Sequence, residues 1–328
     1  MSAASAISPP TAFDPSQLGA CGAWAANQPL ADMTWLRAGG AAQWFVRVPD
    51  EAALSVLLSA LPASVPLLVL GAGSNLLVRD GGVPGVVLRL GRGFQTMEDL
   101  PDHRFAVGAA VLDKALARHA MQAGVAGLEF LGGIPGTLGG ALAMNAGAHG
   151  TETAEIVREV EAYDRSGARH VLRREALQFG YRQCGAAAGM VFTKATVAGV
   201  RGEPQAIAAR LAELAAARRR AQPAGVRTGG STFKNPGKNP GKNPAKNPAK
   251  NPDGVSGQKA WQLIDAAGGR GLRIGKAQMS PQHCNFMVNL GGARAAELEE
   301  LGEEVQARVR AKSGCELEWE LRRVGVKA

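Results

Sequence analysis

An α+β fold is what this sequence predicts, and three features predict it. Short apolar runs bounded by Gly, Pro, Asn and Asp dominate the chain up to about residue 200. A long Ala-rich helix over 203–220 follows them, ended by Pro223. Beyond it, two more helices (260–267 and 293–312) alternate with strands at 286–290 and 316–324. Strands grouped ahead of helices favour α+β over a regularly alternating α/β chain.

The elements follow in order. Residues 1–33 read as an irregular lead-in. A turn at Gly39-Gly40 leads into a strand over 43–48, and Pro49-Asp50 opens a helix over 51–60. Asp is a good N-cap, and Ala52, Leu54, Val56, Leu57 and Leu58 supply the apolar contacts. "VPLLVLGAGSNLLV" is a strand entering a glycine turn, and "GVVLRL" and "FAVGAAV" are further strands. Residues 112–123 form an amphipathic helix with Leu112, Leu116 and Met121 on or near one stripe. "GLEFLGGIPGTLGGALAMNAGAHG" is glycine-dense and poor in charge, which predicts a buried loop and a short helix. "EIVREVEAYDRSGARHVL" alternates and breaks at Arg165-Ser166-Gly167, a hairpin signal, and "GMVFTKATVAGV" is another strand. In the last strand Leu317, Trp319 and Leu321 share one face, and Glu316, Glu318, Glu320 and Arg322 share the other.

From Lys234 the chain repeats Lys-Asn-Pro five times at a period of four. Such a unit is too short and too polar to bury a core. Pro at every fourth position forbids helix and sheet ladders. Residues 237–252 are therefore expected to be an extended, solvated insertion, of a kind tolerated because closure entropy grows only logarithmically with length.

Composition narrows the class. The 328 residues are 46% apolar, enough for two or three domains with a sizeable core. The net charge of +9 falls to +5 without the four lysines of the insertion, and no aromatic lies among the repeats, so no nucleic-acid partner is expected. Cys21, Cys184, Cys284 and Cys315 are far apart and read as reduced thiols, not as a zinc site. "MSAASAISPP" lacks the pattern of a signal peptide, and no apolar run approaches the ~18 residues of a membrane span. A cytoplasmic protein without membrane insertion is expected.

The candidate chemistry lies in the glycine loops and a few polar side chains. "VLGAGSNLL" puts Gly71 and Gly73 just after a strand, where freed backbone N–H groups can cradle a phosphate. Leu76 stands where the dinucleotide fingerprint needs its third glycine, so a structural turn is an equal reading. The second loop, from Gly132 to Gly136 with Gly139-Gly140 after it, lacks the Gly-Lys-Ser/Thr end of a P-loop. Two such loops favour a long ligand with a pyrophosphate at its middle, against glycines that merely pack helix on strand. Arg182 follows a glycine and an aromatic that could bury its stem, though a lone loop arginine is most often a surface charge. Ser231 follows Gly229-Gly230 in a turn fit to present a hydroxyl, and a capping role is the ordinary alternative. No His-Asp pair or Gly-x-Ser-x-Gly accompanies it, so a hydrolase triad is unsupported. Glu320 and Arg322 form a carboxylate–guanidinium pair on the polar face of the last strand, which could be a cleft or plain solvated surface. His283 and Cys284 precede a strand, and Cys284 reads as a packed core residue.

Together, "GAGSNLLVRD", "GLEFLGGIPGTLGGALAMNAGAHG", "YR", "RRRAQP", "GGSTFKNP", "AWQLIDAAGGRGLRIGKAQMSPQHCNFMVN" and "LEWELRRVG" resemble the UDP-N-acetylenolpyruvoylglucosamine reductase (MurB) family, in its shorter type II form without a tyrosine loop over the substrate. Any one segment is unspecific, but their order and spacing over residues 34–325 are not. The expanded Lys-Asn-Pro run departs from the family after Asn235. The resemblance implies a two-lobed FAD-binding domain of the vanillyl-alcohol-oxidase (PCMH) type over 34–204 and an α/β substrate-binding domain over 205–328. It implies FAD contacts from Gly71, Ala72, Gly73, Ser74, Asn75 and Leu76, from Gly133, Ile134, Gly140, Asn145 and Gly147, and from Arg218 and Arg322. Tyr181, Asn235 and His283 fall near the substrate.

The activity implied is reduction of the enolpyruvyl ether of UDP-N-acetylglucosamine to UDP-N-acetylmuramate, a step of peptidoglycan synthesis, with NADPH as reductant and FAD as carrier. Arg182 and a protonated Glu320 would stabilise the developing enolate, and Ser231 would protonate its carbon. Its partners would be small molecules, the UDP-sugar and NADPH, met by a monomer. Rival readings are another flavin oxidoreductase on the same fold and a polyanion-binding module built on the repeat.

Overall fold

In the computed structural model of the chain, residues 15–18, 21–236 and 258–328 are described, and the insertion expected at 237–252 lies outside them. Three sheets of four or five strands organise the described residues. The first has four strands, ordered Ala23–Pro29, Ala41–Val48, Val83–Leu90, Leu67–Val69. The outer pair Ala23–Pro29 and Ala41–Val48 is antiparallel, and the other two pairings are parallel. Helix Glu51–Ala60 makes the crossover. The Asp50 side chain caps it by accepting the Ala53 N–H at 2.9 Å. Leu54, Leu57 and Leu58, spaced for one helical face, bury against Val46, Val48, Val86 and Leu88.

The second sheet is antiparallel, ordered Arg169–Arg173, Val157–Asp164, Met190–Ala198, Arg104–Gly108, Met97–Leu100. The hairpin expected at Arg165-Ser166-Gly167 joins the first two strands. Asp164 Oδ1 accepts from the Ser166 N–H at 2.8 Å, and Gly167 takes a positive φ. Helices Asp113–Gln122 and Leu138–Met144 cover this sheet through Leu116, Leu138 and Leu142. The long helix Pro204–Ala221 buries Ile207 and Leu214 and lays Leu211 on the same core.

The third sheet, ordered Arg227–Ser231, Phe286–Asn289, Ala277–Met279, Arg273–Ile274, packs on helices Ala260–Ala266 and Ala295–Ser313. Its core also takes Leu36, Ala38 and Leu77 from the first lobe. The chain then returns: strand Arg322–Val324 pairs in parallel with Leu76–Val78. Asp80 accepts from the Ala295 and Ala296 N–H groups at 2.8 and 2.9 Å, capping the helix of the other domain. Beside it the buried Glu299 meets Arg79 and Arg323, each at 2.8 Å. No helix among the described residues is long and apolar enough to cross a membrane.

Two elements differ from the sequence reading. The expected lead-in contains a strand, Ala23–Pro29, whose alanines, Asn and Gln carry little strand propensity of their own. Its hydrogen bonds come from pairing with Ala41–Val48, a long-range gain that no local signal reports. The final strand expected over 316–324 is a ladder only at Arg322–Val324, preceded by a single bridge from Trp319 to Phe233. The alternation still holds, with Leu317 and Leu321 buried. The segment is extended because Glu318 and Glu320 bond to Lys234 and Thr232, not because a neighbouring strand runs alongside it.

Candidate active site

A cavity of about 930 Å³ runs between the two N-terminal lobes and reaches the third sheet. One wall is the turn between strands Leu67–Val69 and Leu76–Val78, where Gly71, Ala72, Gly73, Ser74, Asn75 and Leu76 all line it. This turn needs its glycine: Gly73 has φ +65°, and a Cβ there would stand 2.2 Å from the Met33 carbonyl oxygen. The opposite wall is the second glycine loop, with Gly133, Ile134, Gly140 and Gly147 in the lining.

At the far end the third sheet delivers Ser231. The register of Arg227–Ser231 against Phe286–Asn289 shifts between Thr228 and Ser231, and Gly230 inside that bulge has φ +82°. The segment beyond is clamped by Asn285, whose side chain bonds Phe233 twice, accepting its N–H at 3.0 Å and donating to its carbonyl at 2.8 Å. Among the described residues the Ser231 hydroxyl has no protein partner, and it faces the cavity.

Arg182 and Glu320 meet beside it. Arg182 Nε donates to Glu320 Oε1 at 2.8 Å, and a second guanidinium nitrogen donates to the Gly147 carbonyl at 3.1 Å. The side chains are only 19% and 14% exposed. Arg182 sits at φ +57° and leans over the Tyr181 ring at 5.2 Å, so a strained backbone and a cation–π contact aim the guanidinium inward. Burial lifts the Glu320 carboxyl above the ordinary glutamate value, although Arg182 and then Lys234 pull it down. The Glu320 peptide is fixed on both sides, its N–H by Thr232 at 2.8 Å and its carbonyl by the Asn75 side chain at 3.0 Å.

Arg218 and Arg322 also line the cavity, and among the described residues neither guanidinium is ion-paired. Burial lowers the Arg218 pKa, the mark of a cation held without an anion in a partly dry place. A glycine-walled cavity of this size with two unpaired cations suits a long dinucleotide with a pyrophosphate, and the residues present therefore fit FAD.

Four of the sequence-predicted residues lie outside the lining. Asn145 is turned away: its amide donates to Glu152 at 2.8 Å and to the Gly180 carbonyl at 3.0 Å, and its oxygen accepts the Ala154 N–H at 2.9 Å. With φ +41° it ends helix Leu138–Met144. Tyr181 and Asn235 sit on the flank, where the Asn235 N–H reaches the Tyr181 hydroxyl at 3.4 Å. Asn235 Oδ1 accepts the Ala260 N–H at 3.0 Å. His283 packs its ring on Phe286 at 4.7 Å and on Trp261 at 6.5 Å, and burial lowers its pKa. Cys284 is a core residue, fully buried.

Sequence reasoning missed Asn285 and Asp113. Asn285 acts across 52 residues, with no local signal. Asp113 opens helix Asp113–Gln122 under the second glycine loop, fully buried, with neither carboxyl oxygen hydrogen-bonded among the described residues. An acid inside an apolar stretch was its only trace. Burial drives its pKa well above the usual carboxylate range.

Residues 42–173 match the family model described as FAD binding domain, and residues 222–324 match UDP-N-acetylenolpyruvoylglucosamine reductase, C-terminal domain. The chain is 49% identical over 302 residues to the UDP-N-acetylenolpyruvoylglucosamine reductase of Parvibaculum lavamentivorans, covering 92% of this chain and 91% of that one. It is 50% identical over 303 residues to the protein of that name from Rhodopseudomonas palustris, covering 92% of each. Among solved structures, the UDP-N-acetylenolpyruvylglucosamine reductase of Thermus caldophilus superimposes with a TM-score of 0.75 at 37% identity, over 93% of this chain and 99% of that one.

Proposed function

This chain belongs to the UDP-N-acetylenolpyruvoylglucosamine reductase family and is an FAD-dependent reductase, and from that premise we propose how its residues divide the work. The substrate is the enolpyruvyl ether of UDP-N-acetylglucosamine, the reductant NADPH, and the product UDP-N-acetylmuramate for peptidoglycan. The observation that carries the reading is the Arg182–Glu320 pair at 2.8 Å, in one cavity with Ser231 and the first glycine loop.

FAD, when bound, would supply the hydride-carrying chemistry between reductant and substrate. The chain supplies the rest. The turn of residues 71–76 and the second loop hold the dinucleotide through backbone N–H groups, and Arg218 and Arg322 offset its charge. Hydride arriving at the enolpyruvyl group leaves an enolate next to the carboxylate. Arg182 faces that negative charge from a fixed position, worth more in a partly dry cavity than in water. Glu320, whose carboxyl burial shifts toward the protonated form, donates a hydrogen bond to the same oxygens when it carries its proton. Ser231 delivers the proton to carbon, and the bulge at Gly230 sets the direction of its hydroxyl. Tyr181 and Asn235, bonded to each other on the flank of the cavity, are assigned to contacts with the substrate.

The test separates the half-reactions. The purified protein should show a flavin spectrum that NADPH bleaches and the enolpyruvyl sugar nucleotide restores without oxygen. Folded protein that takes up FAD but is bleached by NADPH and never reoxidised by that substrate would overturn the reading.

A further inference from the structure

We propose that Asn75 is a positioning residue that ties the FAD-facing loop to Glu320 and so sets where the carboxyl of Glu320 lies. The inference rests on the role given to Glu320 above. Three observations carry it. The Asn75 side-chain amide donates to the Glu320 carbonyl at 3.0 Å and to Met144 Sδ at 3.4 Å. Both neighbours are acceptors, so the NH₂ group and not the oxygen must face them. The Asn75 main-chain carbonyl takes the Arg322 N–H at 3.0 Å, directly before Arg322–Val324 pairs with Leu76–Val78. Met144 ends the helix that follows the second glycine loop and itself lines the cavity.

One amide thus joins both glycine loops to the residue 245 positions away that carries the acid. On its other side the Glu320 peptide is held by Thr232, the neighbour of Ser231. The Glu320 backbone is therefore strung between the loop that meets the cofactor and the strand that carries the serine. Removing the Asn75 bond frees the cofactor side of that peptide and lets the carboxyl drift from the Arg182 guanidinium.

The experiment compares Asn75→Ala and the nearly isosteric Asn75→Asp with the wild type, all loaded with FAD. The expected loss is about 10²-fold in the rate at which substrate reoxidises the reduced enzyme, the scale of a displacement near 1 Å. Because Asn75 also belongs to the turn that meets the cofactor, each loaded variant is its own control: reoxidation by substrate should fall by a clearly larger factor than flavin reduction by NADPH. The alkaline limb of the reoxidation rate should move to lower pH, because a carboxyl released toward solvent loses the burial that raises its pKa. In a Glu320→Gln background the same Asn75 changes should add almost nothing. FAD affinity, read by flavin fluorescence, should fall far less than the rate. The proposal is overturned if FAD affinity collapses while loaded variants reoxidise at the wild-type rate, or if the Asn75 and Glu320 effects simply multiply. A Glu320→Gln enzyme that reoxidises normally would sink the role of Glu320 itself, and this inference with it.

Discussion

Ser231→Ala is the sharpest single perturbation, because the structure separates its cost to the fold from its cost to the reaction. The substitution removes only Oγ, which among the described residues bonds no protein group. The backbone around it is held by other means. Ser231 pairs with Phe286, the Thr232 N–H donates to the Asn285 carbonyl at 2.7 Å, and Thr232 Oγ1 accepts the Met287 N–H at 3.2 Å. The bulge depends on Gly230 at φ +82°, which the change leaves alone. Stability should therefore stay within about 0.5 kcal/mol of wild type. The rate should not. A positioned proton donor contributes roughly 10²–10⁴-fold, so reoxidation of the reduced enzyme by substrate should slow by that factor. At about 1.4 kcal/mol per decade this is a barrier increase of roughly 2.7–5.4 kcal/mol, several times any change in folding. Anaerobic stopped flow measures it, with NADPH reduction as the internal control expected to stay close to wild type. Equal slowing of both half-reactions, or of neither, would refute the assignment of Ser231 as proton donor.

Asp113→Asn should stabilise the protein above the ordinary carboxylate range, by an amount that grows with pH until the raised folded-state pKa is passed. Burial raises the folded-state pKa of Asp113, so the wild type loses stability as pH rises from the unfolded value near ~3.9 until the folded value is reached, by up to about 1.4 kcal/mol per unit. Urea unfolding at pH 4, 6 and 8 checks it, and a gain that does not grow with pH contradicts it. Glu299→Ala should cost about 3 kcal/mol, the low end for a broken buried pair because Arg79 and Arg323 remain 28% and 29% exposed. The Arg79 hydrogen bond holds the Glu299 pKa below its ordinary value, so the penalty should be full above pH 5 and shrink as pH falls, which unfolding curves at pH 7 and pH 4 would show.

The sequence by itself determined what short-range physics controls. The Asp50 cap, the apolar spacing of Leu54, Leu57 and Leu58, the hairpin at Arg165-Ser166-Gly167 and the glycine turn at Gly73 each act within a few residues and stand where the sequence puts them. The ordered motifs carried the family, because their spacing is a property of the chain alone. What the sequence could not show is which of the motif residues meet. Arg182 and Glu320 are 138 residues apart, and Asn75 and Glu320 are 245 apart. They come together because Arg322–Val324 returns to pair with Leu76–Val78, a long-range choice made by the closing core of Leu36, Leu77 and Leu321. For the same reason strand Ala23–Pro29, weak on its own, exists through its neighbour. Asn145 spends its side chain on a helix end, and His283 sits among aromatic rings outside the cavity. Burial, too, is decided only when the lobes close: it leaves the Asp113 carboxyl without a hydrogen-bond partner among the described residues and gives Glu320 the raised pKa its proposed role requires. Local propensity names the residues; desolvation and pairing across the fold decide what each can do.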